Sequence, residues 1–102
     1  VAVVLAIDAG TSGVRTVAVD ASGARRAYAY REFPQYFPRP GWVEHDPLDI
    51  RDAALGTLAD VVAALAGEAV AAIGITNQRE TVVVWDRDTG EPLHRALVWQ
   101  DR

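Results

Sequence analysis

The sequence predicts an α/β fold in which a mixed sheet carries one covering helix, and three observations predict it. Two β-branched runs flank a glycine turn in residues 3–20, VVLAIDAGTSGVRTVAVD. An apolar stripe at helical spacing runs from Leu48 to Leu65 behind an Asp-Pro pair. Residues 70–76, VAAIGIT, are nearly all apolar and read as a strand buried on both faces.

The first element is a pair of strands. Val, Ile and Thr crowd a helix but suit a pleated strand, so residues 3–7 and 14–19 read as strands joined by a tight turn. Gly10 and Gly13 are expected to take φ > 0 there and to turn backbone N–H groups toward one point. Thr11 and Ser12 add hydroxyl donors. A turn of converging N–H donors is an anion nest, and phosphate is its usual guest. The carboxylate of Asp8 would repel phosphate unless a cation lay between them. A Mg²⁺ that keeps its waters and bridges carboxylate to phosphate resolves that conflict. Three other readings compete. One is a plain β-hairpin whose Gly and Asp only shape the turn. A Walker or Rossmann loop would need GxxxxGK[ST] or GxGxxG, which are absent, and a following helix where strand follows instead. Asp8-Ala9-Gly10-Thr11 is also close to the Asp-Thr/Ser-Gly motif of retroviral-type aspartic proteases, whose paired carboxylates share a proton. Ala9 lacks the hydroxyl that motif places beside its aspartate.

Gly23 separates the second strand from a third, residues 24–33, whose polar, loosely alternating pattern marks a sheet edge. Three prolines and a glycine keep residues 34–42 out of helix and interior strand. The aromatics Phe33, Tyr36, Phe37 and Trp42 are expected to pin this loop to the body, with sugar stacking as the alternative use. A helix over residues 46–66 follows, with Asp46 as N-cap, Pro47 at N1 and Asp49 in the first turn. Leu48, Leu55, Leu58, Val62 and Leu65 form its stripe. Arg51, Asp52 and Asp60 fall outside it, and Gly67 suits C′. His45, with no second ligand at metal spacing, reads as structural. After the apolar strand, residues 81–85 and 95–99 read as a hairpin around DRDTG at 86–90, with His94 on the surface. Three meandering strands, a helix, a strand and a hairpin match the start of an RNase H-like α/β domain.

Composition narrows the function. The 102 residues are 50% hydrophobic, which supports a packed core, and carry a net charge of −4. The ten basic residues are scattered, leaving no stripe for nucleic acid. Without cysteine there is no disulfide framework or thiolate chemistry. No apolar segment approaches the ~20 residues of a membrane span, and the opening run is too short for a signal peptide. A soluble cytoplasmic protein is the expectation. The absence of methionine, and an end on WQDR straight after a strand-like run, suggest part of a longer chain.

Asn77-Gln78-Arg79-Glu80 interrupts the apolar run at its C-terminal end, the edge where open α/β sheets collect ligands. Arg79 offers a fork of donors and ionised Glu80 only acceptors, so together they can hold the hydroxyls of a small polyol. The competing reading is an exposed loop in which the two merely pair.

Four stretches carry a resemblance: AIDAGTSGVR (6–15), PRPGWVEHDP (38–47), AAIGITNQRETVVVWDRDTGEP (71–92) and ALVWQDR (96–102). Together the chain resembles the N-terminal part of an FGGY-family carbohydrate kinase, most of all the glycerol kinases. The resemblance implies an actin-like ATPase fold of two RNase H-like domains, of which residues 1–102 are an incomplete portion of the first. It implies transfer of the γ-phosphoryl group of MgATP to a hydroxyl, so ATP and Mg²⁺ are the expected cofactors. Asp8 would position metal and phosphoryl group; Gly10, Thr11, Ser12, Gly13 and Arg15 would surround ATP phosphates. Arg79, Glu80 and Trp99 would hold the acceptor. The turn DAGTSGVR is nearer the family's xylulokinases, Arg51 stands where a tryptophan is common, and NQRE points to glycerol. The family's catalytic base, an aspartate, its substrate tyrosine and its adenine pocket would lie beyond residue 102. The expected partners are therefore a small polyol or sugar and the rest of the same chain, with oligomers possible. The rivals are another FGGY kinase of a pentulose or polyol, a homodimeric aspartic protease, and a non-catalytic actin-like binding module.

Overall fold

The computed structural model describes residues 2–78 and 80–98. Strands β1 (Val3–Ala9), β2 (Gly13–Asp20) and β3 (Arg25–Glu32) make an antiparallel meander. Helix α1 (Pro47–Ala64) then returns the chain so that β5 (Val70–Asn77) lies parallel to β1, giving the order β3-β2-β1-β5. Two-residue strands β4 (Glu44–His45) and β6 (Ala96–Leu97) pair antiparallel as a second, small sheet. A mixed sheet with one covering helix is the fold the sequence predicts. An 18-residue helix removes the mostly-strand protease reading.

Alternation decides the faces of the sheet. β1 buries Val3, Leu5 and Ile7 toward α1, and turns Val4, Ala6 and Asp8 the other way. β2 adds Val14, Thr16 and Ala18 to the buried face. Two apolar clusters result, one of Val3, Leu5, Ala18, Val61 and Leu65, the other of Ile7, Val14, Phe33 and Ala53. Between strand and helix, the hydroxyls of Thr16 and Thr57 meet at 2.8 Å inside the core. Thr57 also donates to Ala54 O at 3.1 Å, which satisfies a polar group that burial would otherwise penalise.

The helix ends follow the sequence closely. Asp46 caps the first turn by accepting from the Leu48 N–H at 2.9 Å, and Pro47 occupies N1. At the other end the left-handed turn begins one residue earlier than expected, at Ala66 (φ 52°), and continues through Gly67 (φ 89°). The buried face differs. Ala53, Thr57 and Val61 face the sheet, with Ile50, Ala54 and Leu58 beside them, whereas Leu55 is 57% exposed and Val62 47%. This helix is apolar on several sides, so hydrophobicity alone does not choose the buried one. The small Ala53 and Thr57 let the helix approach the sheet closely.

Three further expectations change. β5 is exposed along its whole length, because α1 rests on β2 and β3 and scarcely reaches β1. The expected hairpin shrinks to the bridges Val82↔Leu97 and Trp85↔Pro92, and its return arm pairs with β4 as well. Its turn forms as read: Asp86 accepts from the Asp88 and Thr89 N–H groups, and Gly90 takes φ 75°. Of the loop aromatics, Phe33 is buried and Tyr36 donates its hydroxyl to Asp49 at 3.0 Å. Phe37 is 69% and Trp42 40% exposed, so neither anchors the loop in the core.

Candidate functional site

Parallel pairing of β1 with β5 sets Ala9 opposite Asn77 at the ends of both strands. The turn after β1 and the polar word after β5 therefore leave the sheet side by side, at the carboxyl edge where ligands collect in α/β sheets. Asp8 lies one step back on β1, opposite Arg15 on β2 and Thr76 on β5. Asp8, Gly10, Thr11, Ser12, Gly13, Arg15 and Tyr30 line one open cavity of about 190 Å³. The sequence marks six of these as expected phosphate or metal residues. Tyr30 is not among them, since nothing in its local pattern says that β3 would fold its side chain over the turn.

The glycines act differently from the expectation. Neither Gly10 nor Gly13 lies in the left-handed region. Gly13 is buried at the start of β2, where an added Cβ would stand 2.5 Å from Arg31 O and 2.6 Å from the Tyr30 hydroxyl. Close approach of β3 is what requires glycine there. Gly10 donates its N–H to Gly13 O at 3.0 Å, which closes the turn and removes that donor from any nest. Among the described residues the Thr11 and Ser12 amides have no protein partner. Those two amides, two hydroxyls and the Arg15 guanidinium are the groups that remain able to bind an anion. The donor set for a cation is one exposed carboxylate, Asp8, and no cluster of three metal-ligating side chains occurs among the described residues. That suits a hydrated Mg²⁺ carried in on phosphates.

Of the expected acceptor residues, Arg79 and Trp99 lie outside the described residues. Glu80 is exposed and holds φ 57°, a strained conformation for a residue with a Cβ. Beside it, Gln78 donates its side-chain amide to Gly10 O at 3.1 Å and to His45 Nδ1 at 3.1 Å, and accepts from the Thr81 hydroxyl at 2.8 Å. The polar word after β5 is thus fastened directly to the turn after β1. His45 is fully buried, and burial holds its imidazole below the usual histidine pKa. It touches Phe33 edge-on, with ring centroids 4.9 Å apart.

Comparison with known proteins identifies the family. The model of the "FGGY family of carbohydrate kinases, N-terminal domain" matches residues 3–102. The chain is 52% identical over 101 residues to a glycerol kinase of Alkalilimnicola ehrlichii and 55% identical over 100 residues to one of Cereibacter sphaeroides. Each match covers 97% of this chain and 20% of the relative, so the chain spans about a fifth of the length of these relatives. In structure it is similar to Plasmodium falciparum glycerol kinase with ADP, at a TM-score of 0.92 and 36% identity, over 99% of this chain and 21% of that one. It is also similar to a xylulose kinase of Rhodospirillum rubrum, at a TM-score of 0.92 and 27% identity, over 98% and 21%.

Proposed function

This chain belongs to the FGGY family of carbohydrate kinases, and we propose that it supplies the phosphate turn and part of the acceptor site of an ATP-dependent polyol kinase, with glycerol as the acceptor and glycerol 3-phosphate as the product. The observation that carries this reading is the convergence of the two motifs at one sheet edge, joined by the bond from Gln78 to Gly10 O. A phosphoryl group held at the turn and a hydroxyl held after β5 would lie next to each other. Phosphoryl transfer asks little more of the protein than such positioning and charge stabilisation.

In that reaction an acceptor hydroxyl attacks the γ-phosphorus of ATP, the bond to the bridging oxygen breaks, and ADP leaves. The Thr11 and Ser12 amides and hydroxyls, with Arg15, hold phosphate oxygens. Asp8 would hold a Mg²⁺ through its water shell, and that ion would supply neutralisation of phosphate charge. Arg79 donates to acceptor hydroxyls, Glu80 accepts from them, and Trp99 covers the carbon skeleton. The hydroxyl proton goes to a base outside these 102 residues, as does adenine binding, so the isolated chain is inactive. The glycerol kinases at 50% identity and above support glycerol, and the ADP complex of the Plasmodium enzyme supports the nucleotide. The xylulose kinases among the similar structures support a pentulose as the second reading of the acceptor.

Variants of the acceptor pair test this. In the full-length protein, Arg79→Ala or Glu80→Ala should weaken acceptor use by roughly tenfold to a hundredfold, because each loses charged hydrogen bonds worth about 1.5–3 kcal/mol. The KM for ATP should move far less. Normal acceptor kinetics in both variants would reduce the pair to an exposed ion pair.

A further inference from the structure

We propose that His45 is a positioning residue that sets the phosphate turn and the acceptor loop in register with each other. Two glutamines from distant parts of the chain meet on its ring. Gln35 Oε1 lies 2.5 Å from Nε2, and Gln78 Nε2 lies 3.1 Å from Nδ1. Each glutamine also reaches the backbone of the same turn: Gln35 donates to Thr11 O at 2.9 Å, and Gln78 to Gly10 O at 3.1 Å.

The donors and acceptors admit one consistent arrangement. The amide of Gln78 has two protons, one for Gly10 O and one for a ring nitrogen, so Nδ1 must accept. Gln35 spends its NH₂ on Thr11 O and offers its carbonyl oxygen to Nε2, so Nε2 must carry the proton. The remaining acceptor, Gln78 Oε1, takes the Thr81 hydroxyl. A neutral imidazole protonated on Nε2 therefore satisfies every partner, and a protonated one would set an N–H against the Gln78 amide. The ring stands fully buried on β4, immediately before the capped start of α1, so its own position is fixed by two elements. It is one rigid group bonded to two glutamines, each of which continues to the turn after β1, and one of which, Gln78, opens the polar loop after β5. A role confined to the core would need neither glutamine to continue on to the turn.

The test uses the full-length protein and two readouts. The kinetic one rests on the kinase reading above; the exchange one does not. In His45→Ala, amide hydrogen exchange should accelerate by roughly tenfold or more in residues 10–13 and 78–81 together, while the middle of α1 keeps its protection. His45→Gln should restore both segments, because a carboxamide offers one donor and one acceptor about as far apart as the ring nitrogens. With ATP and glycerol, His45→Ala should lower kcat by roughly tenfold to a hundredfold, with each KM within about threefold, and His45→Gln should recover most of it. Gln78→Ala should reproduce the loss, and it stands in if His45→Ala does not fold. Acceleration in only one segment, or in neither, would overturn the proposal. So would a His45→Gln variant no better than His45→Ala. A wild-type protein that phosphorylates no polyol would instead overturn the kinase reading, with the exchange result still deciding the role of His45.

Discussion

Three glycines separate the physical reasons for glycine in this chain, and substituting each by alanine should give three different results. At Gly13 a Cβ would stand 2.5 Å from Arg31 O, a backbone atom of the strand that pairs Gly13 with Glu32. The Tyr30 hydroxyl, 2.6 Å away, can swing aside, but Arg31 O cannot move without disturbing the β2–β3 ladder. Overpacking of that kind costs about 1–3 kcal/mol. At Gly10 a Cβ would meet only Gly13 O, at 3.4 Å, an ordinary contact, so stability should stay nearly constant. At Gly74 on β5 nothing lies within 4 Å and φ is not left-handed. There alanine should stabilise the 102-residue chain by about 0.4–1 kcal/mol, by restricting the unfolded state. Urea unfolding followed by far-UV circular dichroism, at low protein concentration, reads these differences. With a slope near 1 kcal/mol per molar, Gly13→Ala should lose roughly 1–3 M of midpoint, or leave the chain unfolded. Equal midpoints for Gly13→Ala and Gly74→Ala would refute close approach as the reason for Gly13.

The other expectations concern charge, protons and exposed surface. In the full-length protein Asp8→Asn should cut turnover far more than ATP affinity if Asp8 positions the metal as proposed; near-normal turnover would remove Asp8 from the mechanism. Because burial lowers the pKa of His45 in the folded protein, its contribution to stability is complete above the unfolded value near 6.5. That contribution should be lost as pH falls from there through the folded pKa, and His45→Gln should flatten that limb of a stability–pH curve. The isolated chain should self-associate through β5, where Ile73 is half exposed and Ile75 74% exposed, and Ile75→Lys should raise the monomer fraction in sedimentation velocity. A monomer that melts in one sharp cooperative step without the substitution would contradict this.

What the sequence made legible was what local chemistry decides. The β-branched runs on either side of residues 10–13, the polar edge strand β3, and the Asp46-Pro47 start of α1 all appear where their residues dictate. The cap is read from two adjacent residues and needs no tertiary information. Burial was less legible, because it depends on what else is present to cover a face. An all-apolar β5 reads as doubly buried, yet no element among the described residues covers it. Leu55 and Val62 read as core, yet the smaller Ala53 and Thr57 take the sheet side. β4 and β6, two residues each, leave no periodic signal at all.

In the site, the cluster around residues 8–15 was visible because its residue types and spacing are themselves the chemistry. The network behind it was not. His45 has no metal-ligating neighbour at a recognisable spacing, and its partners come from 10 and 33 residues away. Only the fold brings Gln35 and Gln78 onto one imidazole. The GWVEHDP and NQRET words carry His45 and Gln78, while Gln35 lies outside both, so only part of the signal was present as a word before it had a geometric meaning.

An acceptor panel decides whether the edge shared by β1 and β5 belongs to an ATP-dependent polyol kinase. The full-length protein with MgATP would be offered glycerol, erythritol, xylulose and ribulose, with ADP release and the phosphorylated product measured for each. Glycerol should give the highest kcat/KM, with glycerol 3-phosphate as the product. A pentulose that outperforms glycerol would contradict the acceptor assignment, and no phosphoryl transfer to any of the four would contradict a polyol kinase altogether.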